Sequence, residues 1–254
     1  MRDFDIAART FDHFRSFPRG VPEAIRDAVW RAAGNPQDPR VLDLGAGTGR
    51  IGRVFETGGD FYIGVDASFQ MLREFREHQQ GARLVQADGV ALPFRDAAFD
   101  VVMLMQVLSG ARGWRGLLQD VCRVLRPGGR VVVGQTAAPE TGVDAQMKNA
   151  LAAILEEMGI AAEQPRKRRG EALAWLQSAA ANKTDALAAV WTVERTPRIF
   201  MERHQTGNRF TALPASAQQE ALGKLAGWAE STFGSLDAAA SETHRFELQT
   251  FEFR

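Results

Sequence analysis

The sequence predicts an α/β fold built on a mostly parallel β-sheet with helices on both faces. Three observations carry that expectation. Five short runs rich in β-branched and aliphatic residues recur between Arg40 and Thr136. These runs are almost continuously apolar rather than alternating, as strands covered on both faces should be. Helical stretches lie between most of them, giving repeated βαβ units with right-handed crossovers.

The elements follow in order. The first 39 residues read as one or two helices, with Pro22 at a first-turn position and Ile25, Val29 and Trp30 facing inward. GNPQDP (34–39) then breaks the chain. Strands are expected at RVLDL (40–44), FYIGVD (61–66), ARLVQAD (82–88), FDVVMLM (99–105) and GRVVVGQT (129–136). Ser68 is the expected N-cap of the helix after the second strand, with Phe69, Leu72 and Phe75 on one stripe.

Beyond Thr136 the alternation weakens. Val143, Met147, Leu151, Ile154, Leu155 and Met158 mark an amphipathic helix ending near Gly159. PRKRRG (165–170) reads as a basic loop before a helix around ALAWLQ, and AAVWTVE (188–194) reads as a strand. Thr196-Pro197 opens a short helix. Ser216 and Gln219 predict a capping box for a helix carrying Leu222, Leu225 and Trp228. The closing RFELQTFEF is strand-like, but its alternation shifts near Gln249 and Thr250, which predicts a bulge or burial on both faces.

Composition narrows the function classes. The 254 residues are 45% hydrophobic and 24% charged, and basic and acidic residues balance at 31 each. No net field therefore argues for nucleic acid or an anionic membrane. The single cysteine, Cys122, rules out an intramolecular disulfide, and no metal site is expected. The start, MRDFDIAART, lacks the apolar core of a secretory signal. The longest apolar run, VVMLMQVL from Val101, is too short to span a bilayer. A cytoplasmic protein is expected; the oligomeric state is open.

The stretch RVLDLGAGTGRIG (40–52) can be parsed in two ways. Gly47, Gly49 and Gly52 fit the dinucleotide spacing G-x-G-x-x-G, whereas Gly45, Gly47 and Gly49 fit a tighter turn preceded by Asp43. A dinucleotide fingerprint should begin where its strand ends. That strand ends at Leu44, so counting from Gly45 puts Arg50 where the third glycine belongs. Asp43 agrees with the tighter turn, because a carboxylate repels a pyrophosphate but attracts an ammonium or sulfonium. Asp66, ending the second strand, suits the ribose of either ligand. Asp88, in ADGVALPF, could accept the amino group of adenine, with the Gly89 and Val90 backbone serving the ring nitrogens. A turn-forming Asp-Gly is the competing reading there.

VLDLGAGTGR, GVDAS, ADGVALPFRDAAFDVV and RVLRPGGRVVV, in that order and spacing, resemble class I S-adenosylmethionine-dependent methyltransferases of the type 11, ubiquinone/menaquinone-methyltransferase-like group. The resemblance is strong over residues 38–136, while FDHFRSFP is similar to the group's opening helix. It implies a Rossmann-like seven-stranded sheet with an antiparallel last strand and a helical lid. Residues 1–35 would form part of that lid. The methyltransferase domain would run over 36–254, with acceptor-binding helical insertions at about 140–185 and 196–240. The cofactor would be S-adenosylmethionine, the product S-adenosylhomocysteine, and the partner a small-molecule acceptor. Asp43 with Gly45, Ala46, Gly47 and Gly49 would hold the methionine end and Asp66 the ribose, with Ala67 and Met71 also among the cofactor-binding residues. Asp88, Gly89 and Val90 would hold the adenine, and Gln106 would line the site. The RPGG turn (126–129) would be structural.

The sequence departs from the group at Ser109, where many relatives carry histidine. His13, Glu202 and His204 are the weak candidates for an acceptor-side base, each with a competing surface or packing reading. Arg15 could pair with the cofactor carboxylate or be a solvated helix residue. Trp175, Trp191 and Trp228 read as core. Two rivals stay in view: a non-catalytic S-adenosylmethionine-binding protein and an NAD(P)-dependent oxidoreductase. Nucleic-acid methylation lacks a basic face.

Overall fold

The computed structural model describes residues 12–160, 164–205 and 208–254. The MRDFDIAART start lies outside the described residues. Seven strands form one sheet: β1 (Arg40–Leu44), β2 (Phe61–Asp66), β3 (Leu84–Gln86), β4 (Phe99–Met105), β5 (Leu125–Ala137), β6 (Asn182–Arg195) and β7 (Ala240–Glu252). Their order is β3-β2-β1-β4-β5-β7-β6. The pairs among β1 to β5 are parallel, and β7 runs antiparallel to both β5 and β6. The chain works outward from β1 to β3 and then crosses to β4. β1 and β4 therefore flank the topological switch point, where ligands of open α/β sheets sit at the carboxyl ends of the strands.

The apolar runs predicted these strands because both faces are covered. On one face, α1 (Val21–Ala32), α2 (Arg53–Thr57) and α3 (Phe69–His78) cover the sheet. Ile25, Val29, Phe55 and Phe75 pack there against Val41, Tyr62, Val101 and Met103. On the other face lie α4 (Trp114–Val124) and α6 (Pro165–Ala179). Their Leu118, Val121, Ala172 and Leu176 meet Leu42, Val102, Leu104 and Val131. A third, separate core joins α5 (Val143–Glu157), α7 (Pro197–Gln205), α8 (Asn208–Thr211) and α9 (Ala215–Phe233) through Met147, Leu151, Phe200, Phe210 and Leu225. Trp175, Trp191 and Trp228 each pack against one of the three cores, as expected.

Local signals held at several ends. Ser68 Oγ accepts from Met71 N at 3.3 Å, and Thr196 Oγ1 accepts from Ile199 N at 3.1 Å. α5 ends at Glu157, two residues before Gly159, which takes a left-handed φ of +72°. Other expectations are corrected. Phe69 is 57% exposed, because α3 starts there, before the helix turns its stripe onto the sheet. β3 spans three residues rather than seven. PRKRRG is the opening of α6 rather than a loop, since Ala172 and Leu176 anchor that helix in the core. Ser216 is not a cap: Pro214 occupies that position with an extended ψ of 142°, leaving Ser216 inside the first turn. AAVWTVE belongs to a longer strand that starts at Asn182. The shifted alternation of the last strand is double burial at Thr250 and Phe251, and the bulge lies in its partner β6, between Leu187 and Ala189.

Candidate functional site

Asp43 is the last residue but one of β1, and only 2% of it is exposed. Its Oδ2 accepts from the Tyr62 hydroxyl at 2.8 Å, and its Oδ1 is buried without a hydrogen-bond partner among the described residues. Burial pushes its pKa up to about 7; the Tyr62 bond opposes the rise and the charge of Asp66 adds to it. A buried carboxylate oxygen with no donor costs free energy unless a cation or donor meets it.

The glycine turn follows at once. Gly45, Gly47 and Gly49 take φ values of +83°, +58° and +82°, in the left-handed region where a Cβ is strained. A Cβ on Gly45 would stand 2.4 Å from Val107 Cγ2, whereas one on Gly47 would meet nothing closer than 4.0 Å. The chain therefore passes close to Val107, just past β4, at Gly45 and leaves space above Gly47. Gly52 differs: its φ is −61°, and a Cβ there would lie 2.0 Å from the Tyr62 hydroxyl. Its smallness makes room for the tyrosine that holds Asp43, so the tighter register describes the turn.

Asp66 at the end of β2 braces that turn. Its Oδ2 accepts from Gly47 N and its Oδ1 from Ser68 N, both at 2.9 Å. Burial raises its pKa, against the pull of the Ser68, Gly47 and Ala67 amides. Asp88 Oδ1 accepts from Val90 N at 3.1 Å, so the competing turn role is present there. Gly89 sits against Leu117, and Val90 is 44% exposed. Met71 is buried in α3, and the Ala67 carbonyl accepts from Gln86 Nε2 at 3.2 Å. Gln106 follows β4 with a φ of +63°; its Nε2 donates to Thr136 Oγ1 at 2.8 Å, and its Oε1 accepts from Arg50 Nη2 at 3.3 Å.

Apart from Arg15, the sequence reading missed the residues that gather beside this turn. Asp12 accepts from the Thr48 hydroxyl and, at 2.8 Å, from Arg53 Nη2. Arg50 donates to the Arg15 carbonyl, and Arg15 Nη2 donates to the Arg203 carbonyl at 3.2 Å. Burial lowers the pKa of both Arg15 and Arg50 to about 10. Arg15 is thus drawn toward α7 rather than solvated. Asp144, in the first turn of α5, pairs with Arg203 at 2.8 Å and fixes α7 to α5. The only available signal was chemical: Arg50 stands where a dinucleotide loop needs glycine.

Among the base candidates, His13 and Glu202 are exposed. The His204 ring stacks on Phe200 at 3.8 Å, and burial lowers its pKa to about 4. Ser109 presents its backbone carbonyl to Arg168 Nη1 at 2.8 Å. Two cavities, of about 510 and 420 Å³, lie among the outer helices and the start of β7, away from the glycine turn. No helix among the described residues is long and apolar enough to cross a membrane.

Residues 42–133, from within β1 into β5, match the family described as a methyltransferase domain. Over that stretch the chain is similar to a methyltransferase domain. Part of the chain is likewise similar to demethylmenaquinone methyltransferases. The one from Tropheryma whipplei (strain Twist) is 36% identical over 125 residues, 45% of this chain and 51% of the relative. Those of Streptomyces griseus and Clavibacter sepedonicus are each 32% identical, covering 54% and 57% of this chain and 60% and 63% of the relatives. The chain thus spans about half the length of the first of these curated relatives. The sheet and its helices share the fold of YcgJ from Bacillus subtilis, with a TM-score of 0.57 and 22% identity over 91% of this chain and 98% of that one. A SAM-dependent methyltransferase from Thermotoga maritima aligns with a TM-score of 0.54 and 13% identity, over 100% and 99% of the two chains.

Proposed function

We propose that this chain is an S-adenosylmethionine-dependent methyltransferase acting on a small-molecule acceptor. The observation that carries the reading is the buried Asp43 oxygen without a partner among the described residues, two residues before the left-handed glycine turn. A carboxylate there opposes a pyrophosphate and suits the ammonium of a methionine moiety. S-adenosylmethionine, when bound, supplies a methyl group already activated on sulfur. Asp43 and the open backbone at Gly47 would hold its amino-acid end. Asp66 would accept from the ribose hydroxyls with the lone pairs that Gly47 and Ser68 leave, and Asp88 and Gly89 would serve the adenine. Gln106 would line the side toward the acceptor.

The remaining work is positioning and exclusion of water. The segment around Asp12–Arg15 together with α7 supports that role by bridging the turn and the lid. The names of the relatives make a demethylmenaquinone-like aromatic acceptor the first to test. Calorimetry comparing S-adenosylhomocysteine with NAD decides between cofactors: the first binds and the second does not. Asp66→Ala should weaken S-adenosylhomocysteine binding by about 1.5–3 kcal/mol through lost charge-assisted hydrogen bonds. NAD binding in its place would overturn the reading.

A further inference from the structure

β6 ends the sheet, and among the described residues nothing pairs with its outer edge. An edge strand of fourteen residues presents a row of backbone donors and acceptors to any neighbouring strand. Its register with β7 sets Lys183, Asp185, Leu187, Val190, Thr192 and Glu194 opposite Phe251, Gln249, Glu247, Arg245, Thr243 and Ser241. Those β7 partners alternate regularly, so the six β6 residues share one face. The bulge between Leu187 and Ala189 keeps Leu187 and Val190 on that face although three positions separate them. Both are large hydrophobics left in water, 56% and 52% exposed.

The six residues are self-complementary. In an antiparallel pairing of two copies centred on Ala188-Ala189, Lys183 faces Glu194, Asp185 faces Thr192, and Leu187 faces Val190. Each pair then occurs twice, as a two-fold contact demands. Sliding one ladder step in one direction opposes Asp185 to Glu194. Sliding in the other separates Lys183 from Glu194 and sets Asp185 against Val190. Only the centred register joins opposite charges and apolar pairs together, and cross-strand pairs of this kind specify alignment. A bulge ordinarily turns an edge away from neighbours, but here it lies on the symmetry axis, so both strands bend alike.

We propose that β6 is a homodimer edge, with two copies pairing antiparallel about Ala188-Ala189 and their two sheets merging into one. Sedimentation equilibrium on the whole chain over a dilution series tests it, with circular dichroism to verify that each variant folds. The unaltered chain should reach twice the chain mass. Lys183→Glu turns the attraction toward Glu194 into a like-charge clash in both symmetric pairs, and should raise the dimer Kd about tenfold or more. Glu194→Lys should do the same, and the double reversal should restore the original Kd. Leu187→Lys should weaken association with no such rescue. A chain that stays monomeric throughout overturns the proposal, as does a dimer indifferent to the single reversals or not rescued by the double one.

Discussion

The Tyr62 hydroxyl donates to Asp43 Oδ2 at 2.8 Å across two neighbouring parallel strands, and both side chains are buried. Tyr62 is the chain's single tyrosine. It supplies the one hydrogen bond that a deeply placed carboxylate receives within the described residues. Removing it leaves both carboxylate oxygens without a donor. Tyr62→Phe should therefore lower stability by about 1–3 kcal/mol. Urea unfolding measures this, and an unchanged midpoint would contradict the assigned bond.

Burial holds the Asp43 carboxyl at about 7, against an ordinary value of 3.8. The folded chain therefore favours the protonated acid. This contribution to stability is complete below the unfolded value and is lost as pH rises through about 7. Asp43→Asn should flatten the decline in stability between about pH 4 and about pH 7. A cationic ligand group has the opposite preference, for the carboxylate. Binding of S-adenosylhomocysteine, which keeps the ammonium, should then release a proton below neutrality and tighten as pH rises. Calorimetry in buffers of different ionisation enthalpy counts that proton. No release from the unaltered chain would argue against contact with Asp43.

Two glycines of the turn should respond differently to alanine. Gly45→Ala meets Val107 at 2.4 Å as well as a φ of +83°, and should cost about 1–3 kcal/mol of stability. Pairing it with Val107→Ala should recover the steric part and leave the backbone part. Gly47→Ala meets open space and should cost about 1 kcal/mol. Its larger effect should be on ligand affinity, because the new methyl occupies the space above the turn. Thermal unfolding and calorimetry on the same samples separate the two effects.

Asp12 joins the start of the described chain to Thr48 and Arg53. Asp12→Ala removes both links and should increase protease cleavage before α1. It should also speed ligand dissociation several-fold, with little change in the melting temperature of the sheet. Limited proteolysis and stopped-flow displacement report on the two. A dissociation rate equal to that of the unaltered chain would mean the segment does not cover the ligand.

The central sheet was legible because its strands are buried on both faces and their apolar runs need no partner to be recognised. Asp43, Asp66 and the three turn glycines were legible for the same reason: each lies within a few residues of a strand end. What the sequence hid depends on distant partners. The Tyr62 bond to Asp43 requires the β1–β2 register, and Gly52 looked like a fingerprint glycine until Tyr62 filled the space beside it. The charges of PRKRRG suggested a loop, but Ala172 and Leu176 further along supply the burial that makes the helix. The irregularity near Gln249 was visible in β7, while the bulge itself sits in β6.

Arg50 holds the carbonyl of Arg15, and Arg15 in turn holds that of Arg203. Three stretches far apart along the chain are hooked in series. Under the proposed function, entry of an acceptor and escape of spent cofactor would both have to pass this series of contacts. Such a clasp would link the covering of the turn to three parts of the chain at once, so that a change in any of them is felt at the mouth of the site.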